Sequence, residues 1–138
     1  MSNEILEMGK QAVESQPFSR LLGAQLTDFN QSEVVLEVPI TEDLLQQNGF
    51  VHGGVISYAA DNALTFAGGS VLGPNVLTSE YKINYLKPAV GDLLIARGSV
   101  ISAGKRQAVC RCDVFIRNGT EEKMCATAQG TIVTVAGD

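Results

Sequence analysis

The feature that most constrains this chain is residues 53–68, where Val55, Ile56, Tyr58, Ala59, Ala60, Ala63, Leu64, Phe66 and Ala67 fall on almost every direction of a helical wheel. A helix that is apolar all round has no face to give to water, so the rest of the chain must cover it on all sides. Most of its side chains are small, which suits close wrapping by something larger, such as a curved sheet. The pairs Gly68-Gly69 and Gly73-Pro74 are predicted to end it.

The flanking sequence can supply that sheet. Residues 4–14 place Ile5, Met8 and Ala12 at helical spacing, so a short N-terminal helix is expected, stopped by Pro17. Residues 21–29 and 33–40 then read as strands, the second alternating Val34, Leu36, Val38 and Ile40 with Glu33, Val35, Glu37 and Pro39. Asn30-Gln31-Ser32 links them as a hairpin-type turn. Four more strand-like runs follow at residues 76–86, 93–101, 108–117 and 123–135, and Asn118-Gly119 is the strongest hairpin signal among their separators. In the run 108–117, Ala108, Cys110, Cys112, Val114 and Ile116 share one face. The expected fold is α+β, with about six antiparallel strands around one long central helix, the last four in meander style. With 138 residues the chain suits one domain, taken as 1–138.

Composition narrows the function classes. Hydrophobic residues make up 45% and charged residues 18%, and no apolar run approaches the roughly 20 residues of a membrane span, so no membrane partner is expected. A net charge of −5 with ten scattered Lys and Arg residues argues against nucleic acid, though a few local cations would suffice for a small anion. The polar, acidic start of the chain does not look like a secretory signal, so the expected compartment is the cytoplasm. Cys110, Cys112 and Cys125 lie in apolar stretches and read as reduced core residues. With a single histidine, they supply no metal-ligand spacing and no Cys-His or Ser-His-Asp set, so neither metal nor cofactor is expected.

Two places carry chemistry. The loop Gln46-Gln47-Asn48-Gly49-Phe50-Val51-His52 delivers Gly53 and Gly54 into the first turn of the apolar helix. The first N–H groups of a helix have no intrahelical acceptor and can hold an anion or an oxyanion, and glycine lets a ligand approach. The plainer reading is that the glycines serve tight packing. The second place is Asp61, an ionisable residue in mid-helix with no charged neighbour at positions 58–60, 63 or 64. Such a carboxylate is either hydrogen-bonded and used in chemistry or solvated on an exposed edge beside Asn62. Gly53 and Asp61 are eight residues apart, about 12 Å along a helix axis. If both serve one reaction, they come from different copies of the chain, as in a two-fold dimer with antiparallel helices.

These elements resemble the hot-dog-fold thioesterase superfamily, and within it the PaaI-like phenylacetyl-CoA thioesterase group. The resemblance rests on Gly49, His52-Gly53-Gly54, Asp61 nine residues beyond the histidine, and Ile83-Asn84-Tyr85-Leu86-Lys87-Pro88-Ala89 followed by Gly91-Asp92, and it spans residues 17–135. It implies hydrolysis of an aryl- or medium-chain acyl-CoA, with Asp61 as general base or nucleophile and the Gly53 backbone N–H polarising the thioester carbonyl. It implies that His52 fixes the loop, that Gln46, with Asn48 nearby, stands where many members carry an amide, and that Thr78 stands where a serine commonly positions water, with Ser79 as its neighbour. It further implies a homodimer to complete the site and, as is common in the subgroup, a homotetramer.

The basic turn Lys105-Arg106 is a candidate for the coenzyme A phosphates, as are Lys82, Lys87 and Arg97. Phe50, Tyr58, Phe66 and Tyr81 are candidates for lining the acyl pocket. Two other readings compete. A non-catalytic acyl-CoA-binding module would keep the groove without hydrolysis, which the acid at position 61 argues against. A hydratase would require a proline and a histidine that Asp61-Asn62-Ala63-Leu64 lacks.

Overall fold

The computed structural model describes residues 2–135. In chain order the elements are α1 (Ser2–Ser15), α2 (Pro17–Leu22), β1 (Gln25–Asn30), β2 (Glu33–Pro39), a 3-10 turn (Glu42–Leu44), α3 (Gly53–Leu72), β3 (Val76–Tyr85), β4 (Leu93–Ala103), β5 (Gln107–Asn118) and β6 (Glu121–Thr134). All six strands belong to one antiparallel sheet that curls around α3, as the apolar helix requires.

Local sequence explains the boundaries, including those that differ from expectation. Pro17 does not simply stop α1; it opens α2 at a first-turn position where its missing N–H is no loss. Gly23, left-handed at φ 73°, ends α2, so the first strand begins at Gln25 and residues 21–22 are helical. Helix α3 does not end at Gly68-Gly69 but runs on to Leu72. Gly68 is there for close approach: a Cβ on it would stand 2.5 Å from Ile132 Cβ of the sheet.

The strand order β1-β2-β4-β5-β6-β3 also departs from the expected meander. Of the last four strands, only β4, β5 and β6 follow one another as neighbours. Strand β3 pairs with β6 at one sheet edge, and β4 pairs with β2. Turn residues mark where a chain reverses, not which strand it meets next. The link from Leu86 to Asp92 is longer than a tight hairpin and crosses the strand ends, its backbone N–H groups reaching Cys125 in β6 and Arg117 in β5.

The core lies between the concave face of the sheet and α3. Leu36, Leu94, Val114 and Ile132 from the sheet meet Ala59, Ala60, Ala63, Leu64 and Ala67 from the helix, all fully buried. The expected face of β5 holds throughout: Ala108, Cys110, Cys112, Val114 and Ile116 are all buried. Each larger aliphatic chain removed from water contributes about 1.5–3 kcal/mol. Helix α1 packs across β1 with Val13 buried, covering part of the side of α3 that the sheet leaves open. Among the described residues, no helix is long and apolar enough to cross a membrane.

Helix α3 and edge strand β3 run antiparallel in contact. Successive levels join Gly53 to Tyr85, Ser57 to Tyr81, and Asp61 with Thr65 to Thr78. Residues 53, 57, 61 and 65 recur every four positions and so share one helix face. That face carries the candidate chemistry.

Candidate active site

The loop before α3 is built from backbone bonds. Gln46 N–H donates to Phe50 O at 2.8 Å, Gly49 N–H donates to Gln46 O at 3.0 Å, and His52 N–H donates to Leu44 O at 2.9 Å. Gly49 turns at φ 88°, a conformation that favours glycine. The side-chain oxygen of Gln46 accepts the Asn48 N–H, so this amide oxygen is turned into its own loop. It fixes the loop that presents His52 and Gly53.

His52 caps the helix. Its Nδ1 accepts the Gly54 N–H at 2.8 Å, which leaves the ring proton on Nε2. The Val55 N–H donates to His52 O at 2.9 Å. The Gly54 amide, expected to face substrate, is therefore already engaged. Among the described residues the Gly53 N–H has no acceptor. Tyr85 lies against this residue, its hydroxyl donating to Gly53 O at 3.2 Å. The helix start offers one free, oriented donor, not two.

Asp61 is half-buried, and its Oδ1 accepts the Thr78 hydroxyl at 2.7 Å. Thr65, one helical turn on, brings its hydroxyl to 2.8 Å from Thr78 Oγ1 and 2.8 Å from the Asp61 backbone carbonyl. The carboxylate is thus oriented through one oxygen rather than freely solvated. Its neighbour Asn62 does not share a solvated edge with it; the Asn62 Nδ2 donates to Tyr58 Oη at 3.0 Å.

Thr78 reaches Asp61 because of a break in the ladder. The register of β3 against β6 shifts between Thr78 and Glu80, which inserts Ser79 as a bulge. Side chains of a regular strand alternate, so Tyr81 on the helix side would be matched by Ser79. The extra residue turns Thr78 inward and leaves Ser79 exposed.

The remaining candidates separate. Lys105 and Arg106 are exposed in the β4–β5 turn, where Arg106 O accepts the Thr134 N–H at 2.9 Å. Ala108 and Thr78 both pair with Ile132, so Ala108 lies about 10 Å across the sheet from Thr78 and this turn lies beyond it. Of the four aromatic candidates, Phe66 lines a cavity beside the site and packs edge to face on Phe29. Tyr58 instead enters a polar cluster with Ser19 and Asn62, and burial pushes its phenol upward against those two hydrogen bonds. Tyr81 bonds Ser57, and Phe50 is half-buried in the loop. Sequence reading missed Thr65 and Tyr85. Thr65 was signalled by standing four residues after Asp61; Tyr85 stood inside the motif of residues 83–89, but nothing there pointed to Gly53.

Comparison with known proteins agrees with this fold. The sequence profile of the thioesterase superfamily matches residues 48–123, more than half of the chain, a span that includes residues 48–52 of the loop, Asp61 and Thr78 but not Gln46. A Halobacterium salinarum protein with an esterase designation is 35% identical over 100 residues, covering 67% of this chain and 66% of that one. A 1,4-dihydroxy-2-naphthoyl-CoA hydrolase of Listeria monocytogenes is 26% identical over 106 residues, covering 75% of this chain and 85% of that one. Among solved structures, a thioesterase family protein from Silicibacter pomeroyi superposes with a TM-score of 0.91 at 30% identity, covering 96% of this chain and 99% of that one. The E. coli PaaI protein from the phenylacetic acid degradation operon superposes with a TM-score of 0.85 at 22% identity, covering 99% and 96%, and shares the fold. The chain belongs to the thioesterase superfamily and has its hot-dog fold.

Proposed function

We propose that this protein hydrolyses an aryl- or medium-chain acyl-CoA to the free acid and coenzyme A, and that each active site is shared by two copies of the chain. The observation that carries the reading is the Asp61 carboxylate held by Thr78 on the same helix face as the Gly53 amide, which has no acceptor among the described residues. Thioester hydrolysis needs both groups. The tetrahedral intermediate gathers negative charge on the carbonyl oxygen, where a preorganised N–H typically contributes about 2.7–4 kcal/mol. The carboxylate either deprotonates water, which then attacks the carbonyl and displaces the coenzyme A thiolate, or attacks the carbonyl itself. In the second route the C–S bond breaks and expels that thiolate, giving a mixed anhydride that water opens to the free acid and the restored carboxylate. In both routes the thiolate takes up a proton. A single turnover in 18O-water separates the routes: label retained in Asp61 marks attack by the carboxylate.

Within one copy, the unbroken α3 keeps these groups about 12 Å apart. Strand β3 is a free sheet edge with Leu77 61% exposed, a surface that pairing with a second β3 would cover. Because α3 lies along β3, a two-fold axis at that edge and perpendicular to the strand makes the two helices antiparallel. With the axis at the level of Ser57 and Tyr81, Gly53 of one copy faces Asp61 of the other. Lys105 and Arg106 then supply positive charge for the nucleotide phosphates, and dimers pair into a tetramer.

Subunit complementation tests the shared site. Gly53→Pro deletes the one N–H at a helix position where proline is well tolerated, and His52 already has the extended backbone (φ −61°, ψ 135°) a following proline prefers. Asp61→Asn disables the carboxylate. Each variant alone is expected to be inactive toward acyl-CoA, whereas co-expression restores about a quarter of the activity through mixed dimers with one intact site. Failure of the mixture to recover activity, with both variants folded, overturns the shared site.

A further inference from the structure

Between α1 and the C-terminal half of α3 lies a cavity of about 390 Å³. Its walls include Ile5, Met8 and Ala12 of α1, Phe66 and Gly69 of α3, and Phe29 of β1. Phe29 and Phe66 close part of it edge to face, with ring centroids 5.5 Å apart. Asn62 and Thr65 bring polar groups to its lining. Thr65 is the residue whose hydroxyl meets Thr78, the Asp61 partner. The cavity therefore begins one side chain away from the carboxylate.

The two adjacent glycines of α3 have different reasons to be glycine. Gly68 is forced, since a Cβ there would strike Ile132. Gly69 is not: a Cβ there would meet only Val76 Cγ2, at an ordinary 3.6 Å. Glycine is disfavoured inside a helix, so an unforced one calls for another reason. The empty space in front of Gly69 is the cavity itself.

We propose that this cavity is the acyl-binding site, that α1 forms its outer wall, and that Gly69 sets its depth. The inference rests on the acyl-CoA reading above and names where the acyl group goes. The hydrocarbon or aryl end passes Thr65 and lies between α1 and α3, while the thioester stays at Asp61. The volume stands near the lower end of the roughly 300–1,000 Å³ typical of small-molecule pockets, which suits a ring or a medium chain. The wall is fastened beside the site. The Ser19 hydroxyl, fully buried, bonds Tyr58 Oη at 2.6 Å, and Asn62 Nδ2 reaches Tyr58 Oη at 3.0 Å and Gln16 Oε1 at 3.3 Å, tying the α1–α2 corner to α3.

The test fills the cavity from Gly69 and reads chain-length preference. For wild type, Gly69→Ala and Gly69→Leu, kcat/KM is measured with acetyl-CoA, octanoyl-CoA and phenylacetyl-CoA. A group that no longer fits an apolar pocket is discriminated by about 10–200-fold per methylene. The octanoyl-to-acetyl ratio is expected to fall at least about tenfold in Gly69→Leu and by less in Gly69→Ala, which adds only the tolerated Cβ. Phe66→Ala is expected to raise the ratio for chains longer than octanoyl. Binding gives a second readout: in an Asp61→Asn background, calorimetric titration should show Gly69→Leu weakening octanoyl-CoA while leaving free coenzyme A unchanged. Unaltered ratios and unaltered octanoyl-CoA binding in folded Gly69 variants overturn the proposal. If wild type hydrolyses none of the three thioesters but Gly69→Leu still selectively weakens octanoyl-CoA binding, the cavity assignment stands and the hydrolase reading falls.

Discussion

The Thr78 hydroxyl donates to Asp61 Oδ1 at 2.7 Å, from an edge strand to the middle of an enclosed helix. A hydrogen bond to a charged group contributes about 1.5–3 kcal/mol. The second carboxylate oxygen has no hydrogen-bond partner among the described residues, as the proposed hydrolysis requires.

Removing that donor should affect turnover more than folding. Thr78→Val keeps the shape and deletes the hydroxyl, and kcat/KM is expected to fall about 10–100-fold. Thr78→Ser restores the hydroxyl and should recover most of the loss. Steady-state kinetics on both variants check this, and equal losses in the two would mean that the hydroxyl is not what matters.

Asp61→Asn preserves an oxygen acceptor for Thr78 and removes the carboxylate proposed as base or nucleophile. Its far-UV circular dichroism should match wild type while acyl-CoA hydrolysis drops about 10²–10⁴-fold, the range general-base catalysis contributes. Wild-type turnover in this variant would take the residue out of the mechanism.

Gly68→Ala should destabilise the fold although alanine is the better helix former. The added Cβ meets Ile132 at 2.5 Å in a fully packed layer, and overpacking of this kind costs about 1–3 kcal/mol. Urea denaturation reads the shift, and combining it with Ile132→Ala should recover part of the loss because the two residues touch.

The three cysteines give a pH-dependent prediction. Burial pushes the Cys110 and Cys125 thiols up to about 11 from an ordinary 9.0, and burial together with the Asp113 charge raises Cys112 further. Thiols that hold their protons to higher pH when folded make the folded chain the more protonated state. Their contribution is complete below about pH 9 and declines as pH rises toward 11. Denaturation midpoints should therefore fall between pH 8 and pH 10.5, less steeply in a variant lacking the thiols. At pH 8 a thiol reagent should leave the native protein unlabelled and modify all three cysteines once it unfolds.

Much of this was legible in the sequence because it is local. An all-round apolar helix, the alternation of residues 108–117 and the Asn118-Gly119 turn each follow from side-chain period or turn chemistry, and the structure contains all three. The same holds for the spacing of His52, Gly53 and Asp61. What was hidden depends on partners distant in sequence. Nothing in residues 76–85 tells that they pair with β6 and not β4. The engagement of the Gly54 amide depends on the rotamer of His52, and the role of Thr65 on where Thr78 arrives. Gly68-Gly69 looked like a helix end because the contact that requires Gly68 comes from Ile132, more than sixty positions away.

The irregularity in β3 has a lasting implication for how such a protein can change. Two adjacent hydroxyl residues compete for one post, and the winner is chosen by counting, not by chemistry. Exchanging one hydroxyl residue for the other is a mild event, whereas straightening the bulge at unchanged length would reverse the parity of everything upstream. Over generations, whatever holds this short interval out of line should prove more tightly guarded than which hydroxyl it carries.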